Sequence, residues 1–195
     1  LSELFDIEQY VEMALQYQRL DSETTDFVFE ETDLDEIIRG AVKKYARQFI
    51  AKKISLCYEP VETSVVTDKK WLSFVIEQVI SNAVKYTKTG SIKIYLEDGD
   101  GTMSVPLPEI AHAKKTEMGN GSTSSVCLVI EDAGIGIRAE DLPRICEMGY
   151  TGCNGREGQH SSGIGLYLCS RILKKLGHTF AITSKEGVGT VVKIG

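Results

Sequence analysis

The chain has 195 residues, which at roughly 150 residues per domain implies one domain with an appendage rather than two full domains. Its 42% hydrophobic and 26% charged residues are ordinary globular usage and exclude a disordered tail, a collagen-like repeat and a coiled-coil rod. With 22 basic against 28 acidic residues the net charge is −6 and no run of Lys or Arg exceeds two, so binding of nucleic acid or an anionic membrane by bulk charge is not expected. The longest unbroken apolar run, 126–130, is far below the roughly 18 residues of a membrane-spanning helix. A chain opening on Leu1 is expected to be a fragment, and the lack of a targeting or membrane segment in it says nothing about the parent protein. The five cysteines (Cys57, Cys127, Cys146, Cys153, Cys169) are odd in number and never spaced as CxxC. Neither a disulfide framework nor a zinc site fits, and reduced thiols in the cytosol are expected.

In chain order, Asp6 with Gln9 has the spacing of a capping box, and Ile7, Val11, Ala14, Leu15 and Gln18 follow helical spacing to about Arg19. The acidic stretch 21–33 suits a linker into a short edge strand. Asp33 with Glu36 repeats the cap, and Leu34, Ile37, Ile38, Ala41, Val42, Tyr45 and Phe49 make a helical stripe to about Ala51. Ile54, Leu56 and Tyr58 alternate as a strand. A third helix is expected over 68–87, where Leu72, Val75, Ile76, Val79, Ile80 and Ala83 share one face. Strands follow at Ile92, Ile94 and Leu96 and at 126–131, separated by an insertion over 98–125 too long for an ordinary loop. The chain then turns glycine-dense: eight of the 32 residues from 134 to 165 are Gly, against ten of the other 163, so backbone there closely approaches something or moves. A fourth helix from Gly163 is stopped by Gly177, and strands at 179–183 and 190–194 close the chain around the turn 185–189.

Three constellations carry chemistry. On the third helix Gln78, Asn82, Lys85 and Tyr86 flank the apolar stripe, which would place an amide, an ammonium and a phenol at the rim of a groove; taken alone, such residues are usually a solvated shoulder. The run 131–137, Glu-Asp-Ala-Gly-Ile-Gly-Ile, puts a carboxylate at a strand end before a tight glycine turn, fit to accept from an exocyclic amine, or is an ordinary acidic turn. Ser162-Gly163-Ile164-Gly165-Leu166 opens a helix whose free N–H groups make an anion site, although helices also use Gly for close packing.

Together, in this order, the three resemble the ATP-binding catalytic domain of sensor histidine kinases, in the superfamily of gyrase, heat-shock chaperone and mismatch-repair ATPases. Residues 78–87 resemble the N box, 132–137 the G1 box, 148–152 the F-box region, 163–166 the G2 box and Gly189-Thr190 the closing Gly-Thr. The phrase 147–156 with 162–168 is most similar to the bacitracin-type short-sensor kinases. The resemblance implies a Bergerat fold: an α/β two-layer sandwich whose mixed, mainly antiparallel sheet carries three principal helices on one face. It implies Mg²⁺ and ATP as cofactors. Asn82 would ligate the metal, Asp132 would accept from the adenine amino group with Thr190 supporting it, and Lys85 and Tyr86 would face the phosphates and the ring. Gly163 and Gly165 would present N–H groups to the phosphates, with Ser162, Ile164 and Leu166 beside them. Gly134, Gly136 and Ile137 would form the adenine turn, and Tyr150, Thr151 and the lid cation Arg156 would belong to an ATP lid over 149–162.

Two departures stand out. Where gyrase-like ATPases have the water-activating Glu, this chain has Gln78, which cannot act as a base; that favours phosphoryl transfer to a histidine over hydrolysis. Ala133 replaces a common Asn. None of His112, His160 and His178 suits a phosphoacceptor, so the acceptor is expected outside the fragment. Residues 1–25 are expected to be the end of a dimerisation helix and a linker, with a packed N-terminal helix as the alternative, and 26–195 the catalytic domain. The implied partners are a response regulator, the protein's own phosphoacceptor helices and a second copy in the parent, with no nucleic acid. A cytoplasmic domain of a membrane-bound bacterial protein is expected. A gyrase- or chaperone-like ATPase and a degenerate docking module are the alternatives.

Overall fold

The structure, a computed structural model, describes residues 2–21, 27–99, 125–152 and 161–195. Helix α1 spans Ser2–Asp21 and strand β1 Glu30–Asp33. Helix α2, Leu34–Lys52, forms because Leu34, Ile37, Ile38, Ala41, Tyr45 and Phe49 bury one stripe. Asp33 starts it by accepting from the N–H groups of Asp35 (2.8 Å) and Glu36 (3.4 Å), as helix-starting carboxylates do. Glu36 does not complete the expected box, because its side chain takes Lys69 instead (2.7 Å). Strands β2 (Ile54–Tyr58) and β3 (Ser64–Thr67) lead to helix α3, Lys69–Tyr86, capped by Asp68, which accepts from Trp71 N–H at 3.1 Å. Then come β4 (Gly90–Gly99), β5 (Ser125–Asp132), a 3-10 turn at Leu142–Arg144, α4 (Gly165–Leu176), β6 (Phe180–Lys185) and β7 (Gly189–Ile194).

The main sheet has the order β2-β4-β5-β7-β6. Only β2 and β4 are parallel; the other three pairings are antiparallel, so the mixed, mainly antiparallel sandwich is what the chain adopts. Between helices and sheet lies one core in which Ile76 and Ile80 of α3, Ile92 and Ile94 of β4, Ile130 of β5 and Leu168 and Ile172 of α4 are fully buried. Each such side chain contributes about 1.5–3 kcal/mol by leaving water.

Several expectations are corrected. The first helix begins at Ser2, before Asp6, since 2–5 contain no Gly or Pro to delay it. Its spaced residues Ile7, Val11 and Leu15 are 57%, 55% and 49% exposed, while Met13, Gln16 and Leu20 form the buried face. The short strand β1 is not an edge of the main sheet; it pairs with β3 in a separate antiparallel ribbon, Glu31 opposite Val66. Strand β3 itself has no counterpart among the expected elements. The 98–125 boundaries shift inward because Asp98 and Gly99 continue β4 and Ser125 starts β5, Gly99 pairing with Ser125; the remainder, 100–124, lies outside the described residues. The fourth helix starts at Gly165 rather than Gly163, because Gly163 has φ +67°, a left-handed conformation that no right-handed helix contains. Its end is as expected: Gly177 is left-handed, and His178 N–H reaches Leu173 O at 2.9 Å.

Candidate functional site

Between α2, α3, the start of α4, the sheet and α1 lies a cavity of about 850 Å³, within the range of small-molecule sites. One wall is the flank of α3. At 100° per residue, Gln78, Asn82, Lys85 and Tyr86 fall on one side of the buried stripe, and all four line the cavity. Gln78 is 8% exposed, and its Oε1 would lie 3.1 Å from a Cβ at Gly165. Lys85 Nζ donates to Ser161 Oγ at 3.1 Å and Tyr86 OH lies 3.0 Å from the same oxygen. The end of α3 is thereby tied to the chain entering α4. Glu77, one residue round the helix from Gln78, is held instead by Lys44, 2.5 Å away.

A second wall is the end of β5. Asp132 lines the cavity with Thr190, opposite it on β7. Its Oδ1 accepts from Gly134 N–H at 2.8 Å, and Thr190 N–H also donates to the carboxylate. Desolvation nevertheless dominates and pushes its pKa up to about 6, the two N–H donors opposing and the neighbouring Glu131 charge adding slightly. Ile130, Ile137, Ile182 and Val192 supply apolar surface beside it. The close β5–β7 approach demands glycine at 189: with φ +144°, a Cβ there would lie 2.0 Å from Asp132 O.

The third wall is the entrance to α4. Ser162, Gly163, Gly165 and Leu166 line the cavity with Gly136, Tyr150 and Thr151. A Cβ at Gly163 would sit 2.5 Å from the Gly149 carbonyl carbon, so the two ends of 149–163 meet through bare backbone, Gly149 N–H donating to Gly163 O at 3.0 Å. Ser162 Oγ accepts from Ile164 N–H at 3.2 Å. Gly134 and Ile164 shape this framework without lining the cavity. Arg156 and the rest of 153–160 lie outside the described residues.

Three contributions are not apparent from sequence. The flank of α2 brings Lys44, Arg47, Gln48, Ala51 and Lys52 to the cavity. Their three- and four-residue spacing is visible in the chain, but not which helix faces them. Lys52 Nζ donates to the carbonyls of Val84 (2.7 Å) and Lys85 (3.0 Å), closing the C-terminus of α3 where carbonyls lack helical partners; burial lowers its pKa. Asp141, 7% exposed, lines the cavity and accepts from the Tyr150 hydroxyl, while the Arg144 guanidinium lies 4.3 Å from the Tyr150 ring centroid. Helix α1 contributes Tyr10 and Met13. Ser162 Oγ reaches Met13 Sδ at 3.2 Å and Lys175 Nζ donates to Leu20 O at 2.9 Å.

A carboxylate beside apolar side chains, a cationic and amide-bearing helix flank, and a glycine-built helix entrance are chemically matched to an amine-bearing ring carrying an anionic tail. Residues 67–195 match the family described as Histidine kinase-, DNA gyrase B-, and HSP90-like ATPase, and the chain belongs to that family. The sensor histidine kinase YxdK of Bacillus subtilis (strain 168) is 35% identical over 198 residues, covering 98% of this chain and 53% of the relative. The sensor protein kinase GraS of Staphylococcus aureus (strain MRSA252) is 30% identical over 189 residues, covering 96% and 48%. The chain thus spans about half the length of the curated relatives it matches. Among solved structures, full-length ShkA in complex with AMPPNP superposes with a TM-score of 0.72 at 18% identity, over 98% of this chain and 36% of that one. The histidine kinase ThkA in complex with the response regulator protein TrrA gives 0.66 at 21% identity, over 99% and 47%. These likenesses carry the fold.

Proposed function

We propose that this chain is the catalytic domain of a two-component sensor histidine kinase, which binds Mg-ATP and donates the γ-phosphoryl group to a histidine outside 1–195. The observation that carries it is the convergence of Asp132, Asn82 and Gly163 on one cavity. Asp132 accepts from the 6-amino group of adenine with Thr190 beside it, and Ile130, Ile137, Ile182 and Val192 exclude water from the ring. Lys85 and Tyr86 meet the phosphates, whose oxygens also face the N–H groups around Gly163 and Gly165. The Asn82 amide oxygen is an uncharged hard donor on the cavity wall, and such a donor fits an ion that takes most of its ligands from phosphates and water. Asn82 would hold Mg²⁺, which supplies charge neutralisation at the phosphates. Positioning and charge neutralisation are what phosphoryl transfer chiefly needs.

Transfer is favoured over hydrolysis. Gln78 cannot take a proton, and Glu77 is engaged by Lys44, so neither activates water. The complexes named for ShkA and ThkA support a nucleotide and a response regulator as partners here. The exposed row Ile7, Val11 and Leu15 supports reading 1–25 as the end of a dimerisation helix and its linker, with 26–195 the catalytic domain. The protein's own phosphoacceptor helices and a second copy are then further partners, and the domain is cytoplasmic in a membrane-anchored bacterial parent. The lid over 149–162 includes Arg156 as its cation. The test supplies ATP labelled at the γ-position and a separate histidine-bearing helix hairpin from the parent: labelled hairpin accumulates, and Asn82→Ala slows this by about a hundredfold or more. Steady phosphate release with no labelled hairpin would support the ATPase alternative instead.

A further inference from the structure

Ser184 on β6 is not among the residues that the family resemblance implies. Its hydroxyl nonetheless joins three parts of the purine end of the cavity. Ser184 Oγ donates to Gly189 O at 2.7 Å, accepts from Ile137 N–H at 2.8 Å and lies 3.0 Å from Thr190 Oγ1. A hydroxyl has one proton and two lone pairs. The proton is committed to Gly189 and one lone pair to Ile137, so the contact with Thr190 can form only if Thr190 donates. With its proton held by Ser184, Thr190 Oγ1 has only lone pairs left for a cavity ligand. Asp132, opposite it in the β5–β7 pairing, is likewise an acceptor when ionised.

We propose that Ser184 is a specificity-determining positioning residue: by holding the Thr190 proton it keeps the purine end an all-acceptor surface, which favours a 6-amino purine over a 6-oxo purine. A 6-amino group brings N–H donors to that surface, whereas a 6-oxo group brings a third set of lone pairs. Without Ser184 the Thr190 hydroxyl can turn and donate to the oxo group, so discrimination weakens. This rests on Asp132 and Thr190 forming the purine end of the site.

The test measures calorimetric dissociation constants for ADP and inosine diphosphate, both with Mg²⁺, on the wild-type chain, Ser184→Ala, Ser184→Thr and Asp132→Ala. The expected result is a preference for ADP that narrows by about fivefold in S184A, the size of one hydrogen bond gained, and returns in S184T, which restores the hydroxyl. A purely structural role would weaken both ligands by the same factor, and an unchanged ratio in S184A would overturn the proposal. If D132A binds ADP as tightly as the wild type, the purine-end reading itself fails, a result distinct from an unchanged ratio in S184A. Should S184A not fold, Ser184→Cys weakens the same three bonds without opening a void and carries the same comparison.

Discussion

The Asp132 carboxyl has a folded-state pKa near 6 against an ordinary value of 3.8, and this has two consequences of known sign. As pH rises from about 4 to 6, the unfolded chain loses this proton first. The group's contribution to stability is therefore full below about pH 4 and is lost as pH rises through 6. Ligand binding runs the other way, because a donated amine proton needs the ionised carboxylate. Adenosine, which carries no phosphate to titrate in this window, is expected to bind about tenfold more weakly at pH 5 than at pH 7.5. Asp132→Asn should remove that dependence, and a wild-type affinity that is flat in pH would contradict the assignment. Asp132, Asn82 and Lys85 are legible in the sequence because the motif order locates them. Lys52, Asp141 and Ser184 are not, because each acts through a contact that no motif announces: Lys52 with Val84, Asp141 with Tyr150, Ser184 with Ile137.

Among the elements, two glycines with positive φ separate conformational cost from close approach. A Cβ at Gly177 (φ +79°) would have nothing within 4 Å, whereas one at Gly189 (φ +144°) would meet Asp132 O at 2.0 Å. Gly177→Ala should cost about 1 kcal/mol with nucleotide binding intact. Gly189→Ala must push β7 from β5 at Asp132, so a larger drop in melting temperature and loss of ADP binding are expected by calorimetry. Equal effects of the two substitutions would argue that the β5–β7 contact is slack. The same contrast explains what can be read from sequence. Helices α2 and α3 announce themselves through six or more apolar residues at helical spacing. Strand β3 is only four residues, Ser-Val-Val-Thr, whose sequence has no apolar alternation, and it pairs with β1. Gly163 reads as helix in sequence, and only its left-handed backbone against Gly149 shows that the helix begins two residues later.

At the scale of the whole molecule, α1 has two faces with different fates. Leu20 is 1% exposed and Met13 8%, packed on the domain, while the row Ile7, Val11 and Leu15 is open. The helix packs on the domain through one face and presents an apolar row on the other. Leu20→Ala should cost about 2–3 kcal/mol, lowering the melting midpoint by roughly 4–12 °C in a chain of this size. An unchanged midpoint would mean that α1 is undocked in solution. The net charge is −6, yet Lys44, Arg47, Lys52 and Lys85 bring four cations from α2 and α3 to the cavity, where an anionic tail would lie.

The most direct test of the nucleotide site is a calorimetric titration of the wild-type chain with ADP and Mg²⁺ beside Asp132→Ala. Saturable binding of one ADP per chain, abolished by the substitution, is the predicted result. Absence of binding in a demonstrably folded sample, or binding that Asp132→Ala leaves intact, would contradict it.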